Sequence, residues 1–319
     1  MKGVVLDFDT LGPQDLDTSA LFSLPIEWEI YGNSSVSDVS GLIKNAHVVL
    51  TNKVALTREN LNHAKDLKFI GLFATGTNII DLDAAAECGV SVSNAVGYGT
   101  RSVVQHTWAL ILALTTKLLG YSKASMNGRW QESDSFCVID YPVQELSGKT
   151  IGIVGAGELG RGVASVAPVF GMKVRYAALK NTKHSFQNDR IDFDDLLKES
   201  DVLSLHCPLT EDNINLIDQR ELKLMKSSSI LINTARGKLI NEKSLHEALI
   251  NGEIAGAGLD VLSEEPPISG NILLDERVPN LIVTPHTAWI SKESRQRLVE
   301  QVAGNIKGFL EGGKFNRVC

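Results

Sequence analysis

Short apolar runs alternate with amphipathic stretches from the first residues of the chain onward. Five of these runs predict strands in the first hundred residues, and segments with helical periodicity separate them: VVLD, EWEIYG, AHVVLT, LKFIGLFAT and GVSVSN. Strands that alternate with helices pair in parallel, because each helix returns the chain to the same edge of the sheet. The pattern therefore predicts a first α/β domain built on a parallel sheet.

A second series of strands begins with KTIGIVGAG and continues through KVRYAA, DVLSLH, SSILINTA, IAGAGLDV and NLIVTPH. Six strands with crossover helices predict a doubly wound dinucleotide-binding domain. A long apolar helix, roughly residues 101–119, and an irregular segment, residues 127–148, separate the two series. The apolar positions of a last helix, residues 292–310, fit packing on the first domain. The predicted division is therefore 1–100 with 290–319, and 101–289 inserted between them.

Composition narrows the function classes. The 319 residues carry a net charge of -7 and no long basic run, which argues against a nucleic-acid partner. The longest apolar stretches fall short of the ~20 residues of a membrane span, and the N-terminus has no export signal, so no membrane partner is expected. Four widely spaced cysteines show no metal-ligand pattern. We expect a reduced, metal-free protein of the cytoplasm.

A glycine motif follows the strand TIGIV and opens a helix. In this setting Gly155 permits a tight turn, Gly157 lets a pyrophosphate approach the backbone, and Gly160 allows close packing of helix on strand. Glu158 and Leu159 complete the turn into the helix. A glycine-rich turn without a ligand is the alternative, and the flanking strand and helix favour dinucleotide binding.

The choice between NAD and NADP stays open on the sequence. About 20 residues beyond the glycines, an NAD-preferring domain places an acid that binds the ribose hydroxyls. Here the strand ends at Ala178, and Lys180 and Lys183 follow. These lysines suit a ribose phosphate, or they simply coat a solvated loop.

Three polar residues end later strands of the second series, where ligands bind in open α/β sheets. Arg236 follows INTA, Glu265 follows LDVLSE, and His286 follows IVTP. An arginine can hold a carboxylate bidentately, a histidine can donate a proton near neutral pH, and a carboxylate beside it favours its charged form. Taken singly, each residue has a structural alternative: Arg236 could form a surface ion pair, Glu265 could lie in a solvated turn, and His286 could be a hydrogen-bonded structural histidine. Together they suit reduction of a 2-oxo acid.

The blocks INTARGKLINEKSL, AGAGLDVLSEEPP and LIVTPHTAWIS resemble those of the D-2-hydroxyacid dehydrogenases. The resemblance implies an α/β protein with two doubly wound parallel-sheet domains, a Rossmann cofactor domain inserted in a flavodoxin-like substrate domain. It implies that Arg236 binds the substrate carboxylate and carbonyl, that His286 is the general acid/base, and that Glu265 orients His286. Asp260 matches an aspartate near the nicotinamide carboxamide, or it caps a strand end. The implied cofactor-binding set is Gly155, Gly157, Glu158, Leu159, Gly160, Cys207, Pro208, Thr234, Ala235, Arg236, Asp260 and His286.

The blocks LDFDTLGPQDLD, VVLTNKVAL, ATGTNIIDLDAAA and YGTRSVVQHTWALIL are similar to the glycerate dehydrogenase, or hydroxypyruvate reductase, branch of that family. Departures from the family pattern are Ala178 and the pair Thr77–Asn78. The resemblance further implies a homodimer formed through the 101–148 arm, and substrate entry between the cofactor and the first domain's loops. The implied substrate-binding residues are Lys53, Thr75, Gly76, Thr77, Arg236 and Trp289. Lys53 is alternatively a solvated loop lysine, and Trp289 is alternatively a packing residue.

Three functions remain open at this stage. The first is reduction of hydroxypyruvate to D-glycerate, with glyoxylate as a second substrate. The second is reduction of another 2-oxo acid. The third, from a different class, is a dinucleotide sensor or corepressor on the same fold. The joint presence of Arg236, Glu265 and His286 favours an enzyme.

Overall fold

The chain forms two compact units in the computed structural model, which describes residues 1–178, 190–313 and 316–319. The first unit comprises Met1–Arg101 and Trp289–Cys319, and the second comprises Ser102–Ala288. Lys180 and Lys183 lie outside the described residues. The assignment of substrate binding to the first unit and cofactor binding to the second stays a prediction.

The first unit is built on a five-stranded parallel sheet with the order β2-β1-β3-β4-β5. This is the flavodoxin-like strand order that the resemblance implied. The strands are β1 (Lys2–Val5), β2 (Glu27–Ile30), β3 (Val48–Thr51), β4 (Phe69–Leu72) and β5 (Ser91–Ser93). The helices between them are α1 (Ser19–Phe22), α2 (Val39–Leu42), α3 (Arg58–His63) and α4 (Leu82–Glu87).

The C-terminal helix, Lys292–Leu310, belongs to this first unit. Its apolar side chains recur at helical spacing, so one face of the helix is buried. Leu298, Val302 and Ile306 are fully buried in one cluster with Leu50 and Phe69 of the sheet. The chain therefore returns to its first domain after completing the second.

The second unit contains a seven-stranded parallel sheet with the order β12-β11-β10-β9-β6-β7-β8. Its strands are β6 (Thr150–Val154), β7 (Lys173–Ala177), β8 (Arg190–Ile191), β9 (Val202–Leu205), β10 (Ile230–Asn233), β11 (Gly256–Leu259) and β12 (Leu281–Val283). Six of them are the strands predicted. The sequence did not reveal β8, because two residues are too short to show a periodicity.

The remaining helices are α5 (Thr100–Thr115), α6 (Leu118–Met126), α7 (Glu158–Val166), α8 (Phe193–Glu199), α9 (Gln219–Leu224), α10 (Glu242–Ile250) and α11, the C-terminal helix Lys292–Leu310. Short 3-10 turns span Phe8–Leu11, Pro13–Asp15, Ala167–Phe170, Glu211–Asn213, Gly237–Leu239 and Ile272–Leu274. None of the described helices is long and apolar enough to cross a membrane.

The prediction of one continuous helix over residues 101–119 was wrong. The helix α5 ends at Thr115, and Lys117 takes a left-handed conformation with φ 53° before α6 begins. The hydroxyls of Thr115 and Thr116 donate to the carbonyls of Ile111 and Leu112. Such side-chain bonds to the preceding turn compete with a regular helix, and hydropathy does not register them.

Candidate active site

The glycine motif forms the turn from β6 into α7. Gly155 has φ 102°, a conformation that side chains rarely adopt, and a Cβ on Gly160 would lie 1.9 Å from the carbonyl oxygen of Gly155. A Cβ on Gly157, the N-cap of α7, would meet no atom within 4 Å. Two glycines therefore serve the turn and its packing, while Gly157 leaves open space at a helix N-terminus. These residues fit a dinucleotide pyrophosphate, which the amides of Gly157, Glu158 and Leu159 would hold.

The next cofactor candidates follow the neighbouring strands β9 and β10. Cys207 and Pro208 come after His206, whose amide donates to the carbonyl of Val154 beside the glycine turn. Burial lowers the pKa of His206 to about 4 and raises the pKa of the Cys207 thiol. His206 is therefore neutral near pH 7 and Cys207 is a protonated thiol, so both present uncharged surface.

Thr234 and Ala235 directly follow β10 and are both buried. The Thr234 hydroxyl lies 3.1 Å from that of Thr107 on α5. The Ala235 amide donates to the Asn233 side-chain oxygen at 3.0 Å, and the Asn233 side-chain nitrogen donates to the Arg236 carbonyl at 2.9 Å. Asn233 thus fixes the backbone that presents Arg236, a role the sequence analysis missed although Asn233 lies within the INTA motif.

Arg236 itself is exposed, which leaves its guanidinium accessible to a ligand. Its Nη1 donates to the Ala235 carbonyl at 2.7 Å. The other guanidinium donors form a planar fork that matches a carboxylate.

Asp260 is almost completely buried, with 1% of its surface exposed, at the end of β11. Its carboxylate accepts bonds from the Thr284 hydroxyl at 2.6 Å and from the amides of Thr287 and Ala288 at 2.8 Å each. Its carbonyl accepts the His286 amide at 2.8 Å. Asp260 therefore organises the turn around His286, in which His286 has φ 55°. Such a conformation is uncommon for a residue other than glycine and needs this support.

His286 and Glu265 form a direct pair. The histidine Nδ1 lies 2.6 Å from Glu265 Oε2, and Glu265 Oε1 accepts the Leu262 amide at 2.9 Å. About a third of each side chain is exposed, 33% and 35%. A ring held at Nδ1 by a carboxylate presents Nε2 for proton transfer. The structure therefore brings together two of the three predicted catalytic side chains at hydrogen-bond distance.

The first unit holds the loop candidates. Lys53 follows β3, and its amide donates to the buried Asp7 carboxylate at 2.6 Å. The amides of Asn52 and Val54 donate to the same carboxylate at 2.8 and 3.1 Å. These three amide hydrogen bonds to the Asp7 carboxylate fix the backbone conformation at Lys53. Asp7 was missed, although an acid directly after a strand was the available signal.

Thr75, Gly76 and Thr77 follow β4 in the first unit. The Thr75 hydroxyl donates to the Ala95 carbonyl at 2.7 Å, and the Thr77 carbonyl accepts the Ile80 amide at 3.0 Å. Trp289 is half-buried and packs edge-on against Tyr98 with the ring centroids 6.3 Å apart. Trp289 therefore has a packing role in the first unit, whatever it contacts in addition.

No metal centre is suggested by the described residues, among which no group of three or more His, Cys, Asp or Glu is placed to hold an ion. The second unit therefore presents three features: a helix N-terminus with open space that fits an anion, a histidine held by a carboxylate, and an accessible arginine. This combination defines a dinucleotide-binding oxidoreductase domain.

Comparison with known proteins specifies the class. Residues 108–288 match the family model described as "D-isomer specific 2-hydroxyacid dehydrogenase, NAD binding domain". The chain is 40% identical to a glycerate dehydrogenase of Methylorubrum extorquens over 318 residues, which cover 99% of this chain and 98% of the relative. It is 39% identical to a hydroxypyruvate reductase of Blautia hydrogenotrophica over 323 residues, with 100% and 99% covered. The chain therefore belongs to the D-isomer specific 2-hydroxyacid dehydrogenase family.

A solved structure, the TT0316 protein of Thermus thermophilus, superposes with a TM-score of 0.88 at 31% identity, and the match covers 100% of both chains. The fold class and family predicted from the sequence are thus confirmed.

Proposed function

We propose that this protein reduces hydroxypyruvate to D-glycerate with a nicotinamide dinucleotide. The observation that carries the proposal is the His286–Glu265 pair, 2.6 Å apart, at the strand ends of the unit that contains the glycine turn. The cofactor supplies a hydride to the carbonyl carbon when bound. The protein must then supply one proton to the carbonyl oxygen and bind the substrate anion.

His286 is the proton source in this proposal. Its Nδ1 donates to Glu265, so Nε2 is the atom that transfers a proton. The Glu265 carboxylate holds the ring at Nδ1 and leaves Nε2 for proton transfer. Glu265 therefore acts on the orientation and the tautomer of the ring.

Arg236 stabilises the negative charge that develops on the carbonyl oxygen and binds the carboxylate. We assign the amides of Thr75, Gly76 and Thr77 to the substrate carboxylate and Lys53 and Trp289 to the remainder of the substrate. Asp260 supports the His286 turn and faces the nicotinamide amide in this assignment.

We assign hydroxypyruvate rather than another 2-oxo acid because the two full-length relatives are named a glycerate dehydrogenase and a hydroxypyruvate reductase. Glyoxylate has the same 2-oxo carboxylate on a smaller skeleton, which makes it the second candidate. The test follows absorbance of the reduced cofactor with hydroxypyruvate, glyoxylate and pyruvate. Hydroxypyruvate should give the highest kcat/KM. A higher value for pyruvate would refute the substrate assignment.

The variant Arg236→Lys tests the role of the guanidinium in that assay. It retains a positive charge but loses the planar fork, so kcat/KM should fall for every 2-oxo acid. Unchanged kinetics would remove Arg236 from the site.

The cofactor preference rests on Ala178, which directly follows β7 and whose amide donates to Ile191 of β8 at 2.8 Å. An alanine neither bonds a ribose hydroxyl nor repels a phosphate. We propose that NADPH is used within about tenfold of NADH, a difference of ~1.4 kcal/mol. Ala178→Asp should penalise NADPH far more than NADH. A parent enzyme that prefers NADH by a hundredfold or more would contradict this proposal.

The cytoplasm is the proposed compartment because all four cysteines are free thiols.

Homodimerisation through the 101–148 arm is the proposed assembly. Residues of the arm expose large apolar side chains, with Met126, Phe136 and Ile139 between 85% and 89% exposed. Several large apolar side chains exposed within one segment are typical of an interface. Light scattering should report a dimer for the parent and a monomer for Phe136→Ser/Ile139→Ser. Ile268→Ser, equally exposed but outside the arm, should leave the dimer intact.

A further inference from the structure

His106 lies on α5, a helix that supplies none of the predicted catalytic residues. Its Nε2 is 2.9 Å from the Thr284 hydroxyl oxygen and 3.5 Å from Asp260 Oδ1. The His106 side chain is 23% exposed. A basic side chain thus meets the buried carboxylate that organises the His286 turn.

The direction of the hydrogen bonds follows from counting protons. A hydroxyl has one hydrogen, and Thr284 gives it to Asp260 Oδ1, whose oxygen is 2.6 Å away. The Thr284 oxygen must therefore accept from His106, which requires a hydrogen on Nε2 of His106. The result is one directed chain from His106 Nε2–H through Thr284 to Asp260.

Asp260 transmits this contact to the catalytic histidine. Its two carboxylate oxygens accept the amides of Thr287 and Ala288, and its carbonyl accepts the His286 amide. Without the hydrogen bond from His106, the Thr284 hydroxyl can turn toward its second acceptor, the Leu259 carbonyl 3.5 Å away, and the Asp260 carboxylate then loses one of the bonds that hold it against these amides. The left-handed turn at His286 would then lose part of its support.

We propose that His106 is a positioning residue for the reaction, acting through Thr284 and Asp260 on the orientation of His286. The proposal deepens the proposed function and rests on it for the role of His286. Its essential element is the donor at Nε2. A side chain that restores this donor must restore the function.

Two substitutions at position 106 separate donor placement from mere packing. His106→Gln places an amide NH2 close to the position of Nε2, whereas His106→Asn is too short to reach Thr284. His106→Asn should lower kcat by about 10-fold to 100-fold with little change in KM, since small misplacement of a catalytic group has effects of that order. His106→Gln should retain kcat within about threefold. His63→Asn, on α3 of the first unit, is the matched control and should leave kcat unchanged.

Thr284→Val removes the hydroxyl that links His106 to Asp260 and keeps the side-chain volume nearly constant. It should lower kcat as His106→Asn does. The double variant His106→Asn/Thr284→Val should be no slower than Thr284→Val alone, because the effects of substitutions within one hydrogen-bond network are not additive. Multiplying effects in the double variant, or equal losses in His106→Gln and His106→Asn, would overturn the proposal.

A readout without turnover keeps the test independent of the substrate assignment. Amide hydrogen exchange should quicken at Thr287 and Ala288 in His106→Asn and stay at the parent rate in His106→Gln. An inactive parent with this exchange pattern would refute the proposed function and leave the positioning chain supported. An active parent whose exchange and kcat are unaffected by His106→Asn would refute the positioning chain alone.

Discussion

Gly157→Ala tests the proposal that Gly157 admits the cofactor, whereas the glycines around it are structural. Gly157 has φ -72°, which any residue can adopt, and its added Cβ would meet no protein atom within 4 Å. The free energy of unfolding should therefore fall by less than about 1 kcal/mol, the usual cost of alanine in place of glycine at an N-cap. Gly160→Ala should destabilise far more, because its Cβ would lie 1.9 Å from the Gly155 carbonyl oxygen.

The expected effect of Gly157→Ala is on cofactor affinity. In the proposed cofactor site, a methyl group at this position would occupy the space through which a pyrophosphate reaches the amides of α7. Loss of one hydrogen bond to a charged group costs about 1.5–3 kcal/mol. The Kd for NADH should then rise by roughly 10-fold to 150-fold.

Fluorescence titration with NADH and urea unfolding measure the two quantities on the same samples. Gly304→Ala, on the exposed side of α11 with open space around it, is the control: it should leave the Kd unchanged and maintain or raise stability. A Kd for Gly157→Ala equal to that of the parent would refute the assignment of this turn to the pyrophosphate.

Three further outcomes follow from the site. His286→Ala should lower kcat by about 10²-fold or more, as measured by cofactor absorbance, and near-normal turnover would remove it as the proton donor. Glu265→Gln keeps the side-chain size but removes the carboxylate that holds the His286 ring at Nδ1, so kcat should fall with little change in KM; an unchanged kcat would leave Glu265 a structural role. His206 is neutral in the fold, with a pKa of about 4, whereas the unfolded chain takes up a proton below about pH 6.5. The free energy of unfolding therefore falls as pH falls from 6.5 toward 4, by about 2 kcal/mol at pH 5. Urea unfolding at pH 7.5 and pH 5 should show a smaller loss for His206→Asn than for the parent. An equal loss in both proteins would contradict a neutral buried His206 ring.

The predictable features were those that local sequence encodes directly. The strands of parallel sheets are buried on both faces, so runs such as VVLT and VLSL are nearly continuous in apolar residues and easily recognised. The glycine turn was recognisable because its three glycines, at G-x-G-x-x-G spacing, directly follow a predicted strand and open a predicted helix. The break at Lys117 and the strand β8 lacked such signals.

The supporting contacts around the site could not be deduced from the sequence. Asp260 and His106 are far apart in the chain and meet only because α5 packs beside the ends of β11 and β12. The buried Asp7 likewise accepts amides from a loop 45 to 47 residues away. Such contacts depend on tertiary packing, and no periodicity or motif within a single element encodes them.

The most direct test of the central claim is oxidation of the two enantiomers of glycerate. A D-isomer specific dehydrogenase built on Arg236, Glu265 and His286 should reduce NAD⁺ or NADP⁺ with D-glycerate and show no more than background with L-glycerate. Equal rates with both enantiomers would contradict the D-specific geometry. No oxidation of either, together with no reduction of hydroxypyruvate, would instead favour a protein that binds a dinucleotide without catalysis.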